Sequence, residues 1–568
     1  MDRAATASAG CRLTGLIDTR RAATFGQRLM RSHRMRRLGG GPEQGTEMKW
    51  HGGGRCPSRH LPGNHWLAKP MVMLTVLAVA TILGTNISAW AQSAEDSVLS
   101  FHNSVDRSGR FMVPELTWER ARSVHADRQF RAKISGDVYA QPLHWREYGA
   151  SSSMLLVATE TNNVYALDAI SGDALWTRSL GAPVHHSLLR CGNIDPLGVT
   201  GTPVIDESTG AIYLDAAVEE SSAPHHRVFA LSLKDGSTIP GWPIDIADAL
   251  RAERQTFNAR DQSERGALTS VDGMLYVPFG GHLGDCGDYH GWVVGISLKD
   301  PRRLTGWSTR ARGGGIWAPG GISSIGQSLF VATGNTFNAP TWSDGEAIVH
   351  LAPDLHRSND RRDYFAPTNW HTLDVQDADL GATNPVILDV DNRHGRRQAL
   401  LLALGKDGRA YLLDRNNLGG IGGSLTTEVV SKRPILAAPA VYTIEGDVFV
   451  AFQGSGERCP SRAAEGGLTV LKINSGLQPM ISTAWCSSVP GASSPIITTI
   501  DGQSEPIVWV VGAEGDNQLH GFRGDNGEPL FNGGAGPAMS GLHHLQTLIA
   551  TKDRLYVGAD ERVYAFAF

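Results

Sequence analysis

Asn163-Val164-Tyr165-Ala166-Leu167-Asp168-Ala169-Ile170-Ser171-Gly172-Asp173-Ala174-Leu175-Trp176 constrains the fold more than any other stretch, because weaker copies of it recur along the chain. Val164 to Asp168 alternates apolar with small or polar residues and reads as a half-buried strand. Ser171-Gly172 is a turn signal and Leu175-Trp176 starts a second strand, so the unit is a hairpin with a Trp just past the bend. Related units run from Val228 to Trp242 and from Val293 to Trp307. Fainter ones lie at Ala410 to Gly420, Leu468 to Gly476, Leu519 to Gly527 and Arg562 to Phe568. The copies are spaced by roughly 50 to 65 residues, and a blade of four short strands takes about 40 before its loops lengthen. The period therefore predicts an all-β propeller. Almost no segment carries a helical period, and no Ser- or Pro-rich linker or charge block divides the later part of the chain.

The pattern Ala166-x-Asp168-x-x-x-Gly172-x-x-x-Trp176 resembles the blade repeat of the pyrroloquinoline quinone (PQQ) dehydrogenase-like propellers, in which the Trp docks between neighbouring blades. Val138-Tyr139-Ala140-Gln141-Pro142-Leu143, Gly201-Thr202-Pro203-Val204-Ile205-Asp206, Gly405-Lys406-Asp407-Gly408 and Leu555-Tyr556-Val557-Gly558 extend the similarity across residues 98 to 568. The resemblance implies an eight-bladed propeller, with seven blades as the alternative. The expected blades run 138–180, 198–246, 260–310, 314–365, 380–420, 437–487, 491–531 and 543–568. The last is short and needs an N-terminal strand to complete it, which removes the open sheet edge at the joint. Phe130 to Ser135 is assigned that role, opposite Val563 to Phe568. Thr117 to His125 is expected to hold one short helix.

Residues 1 to 70 are rich in Arg, Gly and His and have no apolar period, so they read as a disordered leader ahead of the true start. Residues 71 to 91 read as a signal peptide. Lys69 precedes the apolar run Met71 to Leu83, and Ala89-Trp90-Ala91 supplies a small-x-small cleavage site before Gln92. About 13 apolar residues are too few to span the roughly 30 Å hydrocarbon core of a bilayer, so no stable membrane insertion is expected. Residues 92–129 form a lead-in, and 130–568 the propeller. Secretion or periplasmic location follows. Past Ala91 the chain holds 39 Lys and Arg against 53 Asp and Glu, a surface that repels nucleic acid. A monomer is expected. Four cysteines remain, an even number that favours disulfides in an exported protein. Sequence order and blade placement suggest Cys191 with Cys286 and Cys459 with Cys486, out of three possible connectivities.

In a propeller the innermost strands start at one rim and their first side chains converge on the axis. Those positions here include Gln141, Thr202, Arg265, Trp317, Asp379 and His544. A cation, a carboxylate, an indole, a hydroxyl and an imidazole make a polar pocket for a small ligand, or a set of groups that satisfy one another and trapped water. His282, Asp285, Asp288 and His290, with Cys286 among them, are the densest run of metal-ligand types, and equally a turn-rich loop pinned by a disulfide. The resemblance implies PQQ and Ca²⁺ as cofactors and dehydrogenase chemistry. The family's adjacent-cysteine ring is absent, however, and Trp317 and Asp379 stand outside the family's local motifs. No Cys-x-x-Cys-His, no nucleophile elbow and no phosphate loop occurs. The expected work is that of a binding scaffold for a small ligand or an extracytoplasmic protein, with a divergent quinoprotein dehydrogenase, or another enzyme using the tunnel mouth, as the alternative.

Overall fold

The computed structural model describes residues 97–391, 397–460, 467–474, 479–534 and 537–568. The leader and the signal segment lie outside the described residues. Eight antiparallel sheets follow one another along the chain, at 143–179, 204–245, 262–308, 323–366, 386–429, 440–488, 496–532 and 548–567. They are numbered blades 1 to 8 below.

The repeat unit forms the hairpin its sequence predicts. Asn163–Asp168 pairs with Ala174–Ser179, with a bulge between Ala166 and Leu167, and Gly172 turns the chain between the strands at φ 80°. Val164, Ala166 and Leu167 are buried; Val164 and Ala166 pack against Ile205, Leu214 and Leu231 of blade 2, and Leu167 joins the core on the opposite face with Leu555 and Phe566 of blade 8. Each apolar layer is thus shared by two sheets, which is why a blade cannot exist alone. The Trp past the bend docks on the next blade. Trp176 Nε1 donates to Leu233 O at 3.0 Å and Trp485 Nε1 to Gly524 O at 2.8 Å, joining blades 1 to 2 and 6 to 7. Each indole lies over a glycine, Gly236 or Gly527, with positive φ. Buried tyrosines make similar ties: Tyr276 OH donates to Pro353 O, and Tyr556 OH to Ala169 O across the joint between blades 8 and 1.

The last blade is completed from the N-terminal side, by a segment other than the expected one. His125–Ala126 pairs with Phe566 and Ala567. Phe130 to Ser135 is not its fourth strand. The Asp127 carboxylate accepts the backbone N–H groups of Gln129 and Phe130, which turns the chain out of the sheet. Beyond the turn only Lys133 bridges the sheet, at Arg562. Phe130, Ala132 and Ile134 are buried in the core shared by blades 7, 8 and 1. The expected helix is Trp118–Ala121, capped by the Thr117 hydroxyl accepting from Arg120 N.

The lead-in threads the ring rather than merely preceding it. Val98 bridges His144 of blade 1, Leu99 O accepts from Ile205 of blade 2, and Val105 O from Ser324 of blade 4. Ser108 O accepts from Val441 of blade 6, and Arg110–Met112 runs parallel to Ile497–Thr499 of blade 7. All these partners are innermost strands, so residues 97–113 stopper one end of the axial channel. Arg107, fully buried, anchors the stopper by donating to Ile322 O at 3.1 Å and Leu268 O at 2.8 Å.

Candidate functional site

A cavity of about 320 Å³ opens at the other end of the axis. First-strand starts give it Thr200, Arg265, Trp317, Asp379 and His544. The ends of second strands and the turns after them give it His282, Asn335 and Lys406. Two irregular loops, around 189–197 and 282–285, form one wall, and the Cys191–Cys286 disulfide ties them with Cα atoms 6.2 Å apart. The second expected disulfide, Cys459–Cys486, spans 5.7 Å between Cα atoms in blade 6.

Four of the six expected axial residues, Arg265, Trp317, Asp379 and His544, therefore line one cavity. Gln141 and Thr202 do not. They lie below it with Phe101 in a compartment of about 10 Å³, which Arg265 also lines. There Gln141 Oε1 accepts from His102 N at 2.9 Å, its Nε2 donates to Ser100 O, and its own N–H donates to Thr202 Oγ1 at 2.9 Å. Gln141 thus holds the stopper, and Thr202 holds the Gln141 backbone.

Arg265 occupies the boundary between the two spaces. Its guanidinium stands 5.5 Å from the Tyr139 ring centroid and has no hydrogen-bonded or ion-paired partner among the described residues. Burial lowers its proton affinity, opposed by Tyr139, Glu160 and Glu264. Both glutamates are spent on the backbone: Gly198 N–H donates to Glu160 Oε2 at 2.7 Å, and Gly201 N–H to Glu264 Oε2 at 3.0 Å. Burial pushes Glu160 up to about 7, and burial with the Asp215 charge holds Glu264 well above the usual carboxylate range. Glu264 Oε1 has no hydrogen-bond partner.

On the far side, Lys406 Nζ lies 2.7 Å from Asp379 Oδ2, 3.0 Å from Asp377 Oδ1 and 5.2 Å from the Trp317 ring centroid. Asp379 Oδ1 accepts from Asn335 N at 2.8 Å. Burial raises Asp379, and that same carboxylate holds Lys406 in its charged form. His544 Nδ1 sits 2.8 Å from Glu514 Oε1 at the exposed lip.

The run from His282 to His290 does not converge on one point. His290 Nδ1 faces Thr309 O, and its Nε2 lies 3.9 Å from Asp288. Tyr289 OH donates to Asp285 Oδ1 at 2.6 Å. His282 is 5 % exposed, lines the cavity, and its Nε2 has no hydrogen-bond partner. Burial, with the neighbouring His226 charge, holds it down to about 4, so its imidazole is neutral at pH 7.

Lys406 is the residue that sequence reasoning missed. Gly405-Lys406-Asp407-Gly408 is a hairpin turn between Arg397–Leu404 and Arg409–Asp414. The signal for more was topological: in a four-stranded blade, the turn between the second and third strands lies at the same rim as the start of the first.

No protein-family model matches the chain, and no curated protein matches it. Solved structures do. A europium-containing methanol dehydrogenase superposes with a TM-score of 0.57 at 13 % identity, over 84 % of this chain and 98 % of that one. The quinohemoprotein alcohol dehydrogenase of Comamonas testosteroni gives 0.58 at 14 % identity, over 84 % and 82 %. The quinohemoprotein alcohol dehydrogenase ADHIIG of Pseudomonas putida HK5 gives 0.58 at 14 %, over 83 % and 80 %. The chain has the quinoprotein-type eight-bladed propeller fold. At these identities the likeness fixes architecture, not chemistry.

The residues can be tested against the cofactors that this fold suggests. Trp317 offers a flat apolar face, and Arg265 and Lys406 offer positive charge, which suits a planar polyanion such as PQQ. Calcium does not fit. It takes six to eight oxygen donors, whereas Asp379 is already engaged by Lys406 and Asn335, and Asp285 by Tyr289. The Lys406 ammonium already supplies the positive charge that Asp379 opposes.

Proposed function

We propose that the protein is an exported propeller that binds a small carboxylate-bearing ligand in its axial cavity, and that rigid presentation of this rim is its work. One observation carries the reading: the Arg265 guanidinium faces a stoppered cavity with no hydrogen-bonded or ion-paired partner among the described residues. Leaving a partly desolvated cation unpaired is costly, and a ligand carboxylate would offset that cost with charge-assisted, bidentate hydrogen bonds. His282 Nε2 adds an unpaired polar atom on the same wall. A closed ring needs little reordering to bind.

The test is calorimetric and thermal-shift titration with mono-, di- and tricarboxylates, PQQ among them as a planar tricarboxylate, on wild type and Arg265→Gln. Saturable binding that weakens about 10- to 100-fold in the variant, the loss of one charge-assisted contact, is the expected result. Equal binding by both proteins would remove Arg265 from the site.

A second reading, a divergent quinoprotein dehydrogenase, draws support from Trp317 lying beneath Lys406 and beside Asp379 in a fold of quinoprotein type. PQQ with CaCl₂ giving quinone absorbance and dye-linked alcohol oxidation would favour it; PQQ binding without turnover favours the first reading. The two disulfides fit an oxidising compartment, and no helix among the described residues is long and apolar enough to cross a membrane. Export with cleavage after Ala91, as a monomer, belongs to the proposal, and N-terminal sequencing and size-exclusion chromatography of the secreted protein check it.

A further inference from the structure

A second cluster of potential ligands lies outside the cavity, where the ring closes. Among the described residues, one group of three His, Cys, Asp or Glu side chains brings its ligand atoms within 4.8 Å of one another: Asp137, His543 and Asp560. They come from three separate segments, the approach to blade 1, the approach to blade 8, and the turn between Arg554–Ala559 and Arg562–Ala567. Each is held by the frame. Asp137 O accepts from Glu160 N, Asp560 N donates to Gly541 O at 3.0 Å, and His543 N donates to Gln546 Oε1 at 2.8 Å. The His543 ring stacks on Tyr139 at 4.1 Å, which fixes its plane. Its Nε2 points at Asp560 Oδ1, 2.7 Å away.

The charge balance is incomplete. The Asp137 carboxylate has no hydrogen-bonded or ion-paired partner among the described residues, while Asp560 and Glu561 beside it carry like charge. His543 is the one group there able to oppose them. An unpaired carboxylate beside a second carboxylate and an imidazole nitrogen is short of one cation, and the donor types say which kind. One imidazole and two carboxylates form a three-ligand set with a fourth position left for water, as in zinc sites. Calcium prefers oxygen donors alone and more of them. Donors about 2.1 Å from a tetrahedral ion stand about 3.4 Å apart; the 2.7 Å between His543 Nε2 and Asp560 Oδ1 has to open by roughly 0.7 Å as an ion replaces the shared proton, and the Asp137 oxygen lies within 4.8 Å of both, adjustments within reach of side-chain rotation.

We propose that Asp137, His543 and Asp560 bind a divalent transition-metal ion of the zinc class and that this ion clamps blade 8 to blade 1. The location suits a clamp, because here the circle of blades is joined by pairing of distant chain segments rather than by a continuous connection. It also lies one aromatic ring from the cavity, since Tyr139 carries His543 at 4.1 Å and Arg265 at 5.5 Å. Metal occupancy therefore bears on the orientation of the cavity's unpaired cation.

The test uses the tag-free secreted chain, stripped with EDTA and titrated with ZnCl₂ by calorimetry in a non-coordinating buffer. CoCl₂ serves as an optical probe, and CaCl₂ as the competitor of the other class. Expected are one equivalent of Zn²⁺, a rise in melting temperature on loading, and affinity at least tenfold weaker in Asp137→Asn and in His543→Gln but unchanged in Asp288→Asn. Absence of saturable Zn²⁺ binding overturns the proposal. So does equal affinity in wild type, Asp137→Asn and His543→Gln, which would put the ion elsewhere. Calcium binding more tightly than zinc overturns the metal class. Because His543→Gln removes a stacked ring and can unfold the joint, Asp137→Asn, which replaces one half-buried carboxylate oxygen, and the visible Co²⁺ spectrum of the wild type decide independently of it. The result is separable from the carboxylate titration, which reads a different space and a different residue.

Discussion

If the repeat holds the ring together through its Trp, then the glycine beneath the indole and the indole itself must be energetically coupled. A Cβ built on Gly236 would lie 2.6 Å from Cε3 of Trp176 and 3.0 Å from its Cδ2, and one on Gly527 would lie 2.6 Å from Cε3 of Trp485. Carbon atoms prefer about 3.5 to 4.0 Å, so each substitution forces the ring off its seat. Gly236→Ala should cost about 1–3 kcal/mol for overpacking, and a further 1–2 kcal/mol, roughly, for an L side chain at φ 68°. Trp176→Ala removes a half-buried indole and its bond to Leu233 O, for about 2–3 kcal/mol, below the cost of a fully buried aromatic. In the double variant the overpacking vanishes and only the backbone cost of the glycine replacement remains. The two changes should therefore fall short of additivity by about 1–3 kcal/mol. Urea melts of the four proteins, followed by fluorescence and far-UV circular dichroism, measure this, and Gly527 with Trp485 repeats it at a second joint. Additivity within about 0.5 kcal/mol at both would show that the indoles do not bear on the neighbouring blade, and the docking argument would fail.

Two further outcomes follow from buried charge. His102 is held down to about 3 and His282 to about 4, each mainly by burial, so the unfolded chain takes up protons from pH 6.5 downward that the folded chain refuses; Glu160, raised to about 7, takes its proton in the folded state first and works the other way. As pH falls from above 7 to below 4.5, wild type should therefore gain about 3 kcal/mol relative to Glu160→Gln, while the two histidines act in the opposite sense in both proteins; parallel profiles for the two proteins would refute the assignment. Lys406→Met strands the buried Asp379 carboxylate and should cost about 3–5 kcal/mol, most of it recovered in Lys406→Met/Asp379→Asn, as thermal melts would read; a loss under about 1 kcal/mol would mean the pair is solvated.

The local order of the repeat unit was written in the chain. Alternation in Val164 to Asp168, the turn at Ser171-Gly172 and the Trp beyond it specify a hairpin because strand period, left-handed glycine and indole placement are properties of about a dozen consecutive residues. Repetition of that unit specified a propeller of eight or seven blades, a choice that the eight sheets settle, and through the inner-strand starts it located Arg265, Trp317, Asp379 and His544. What no local pattern contains is how distant segments meet. Asp127 turns the chain so that His125–Ala126, and not Phe130 to Ser135, closes the last sheet. The lead-in fills one end of the channel, which converts Gln141 and Thr202 from ligand candidates into its supports. Lys406 reaches the cavity only because a turn in blade 5 shares a rim with the strand starts of other blades. Short-range sterics and polarity are encoded residue by residue, whereas the pairing of charges and the closing of a ring depend on loops whose ends are hundreds of residues apart, and their geometry exists only once the whole circle has formed.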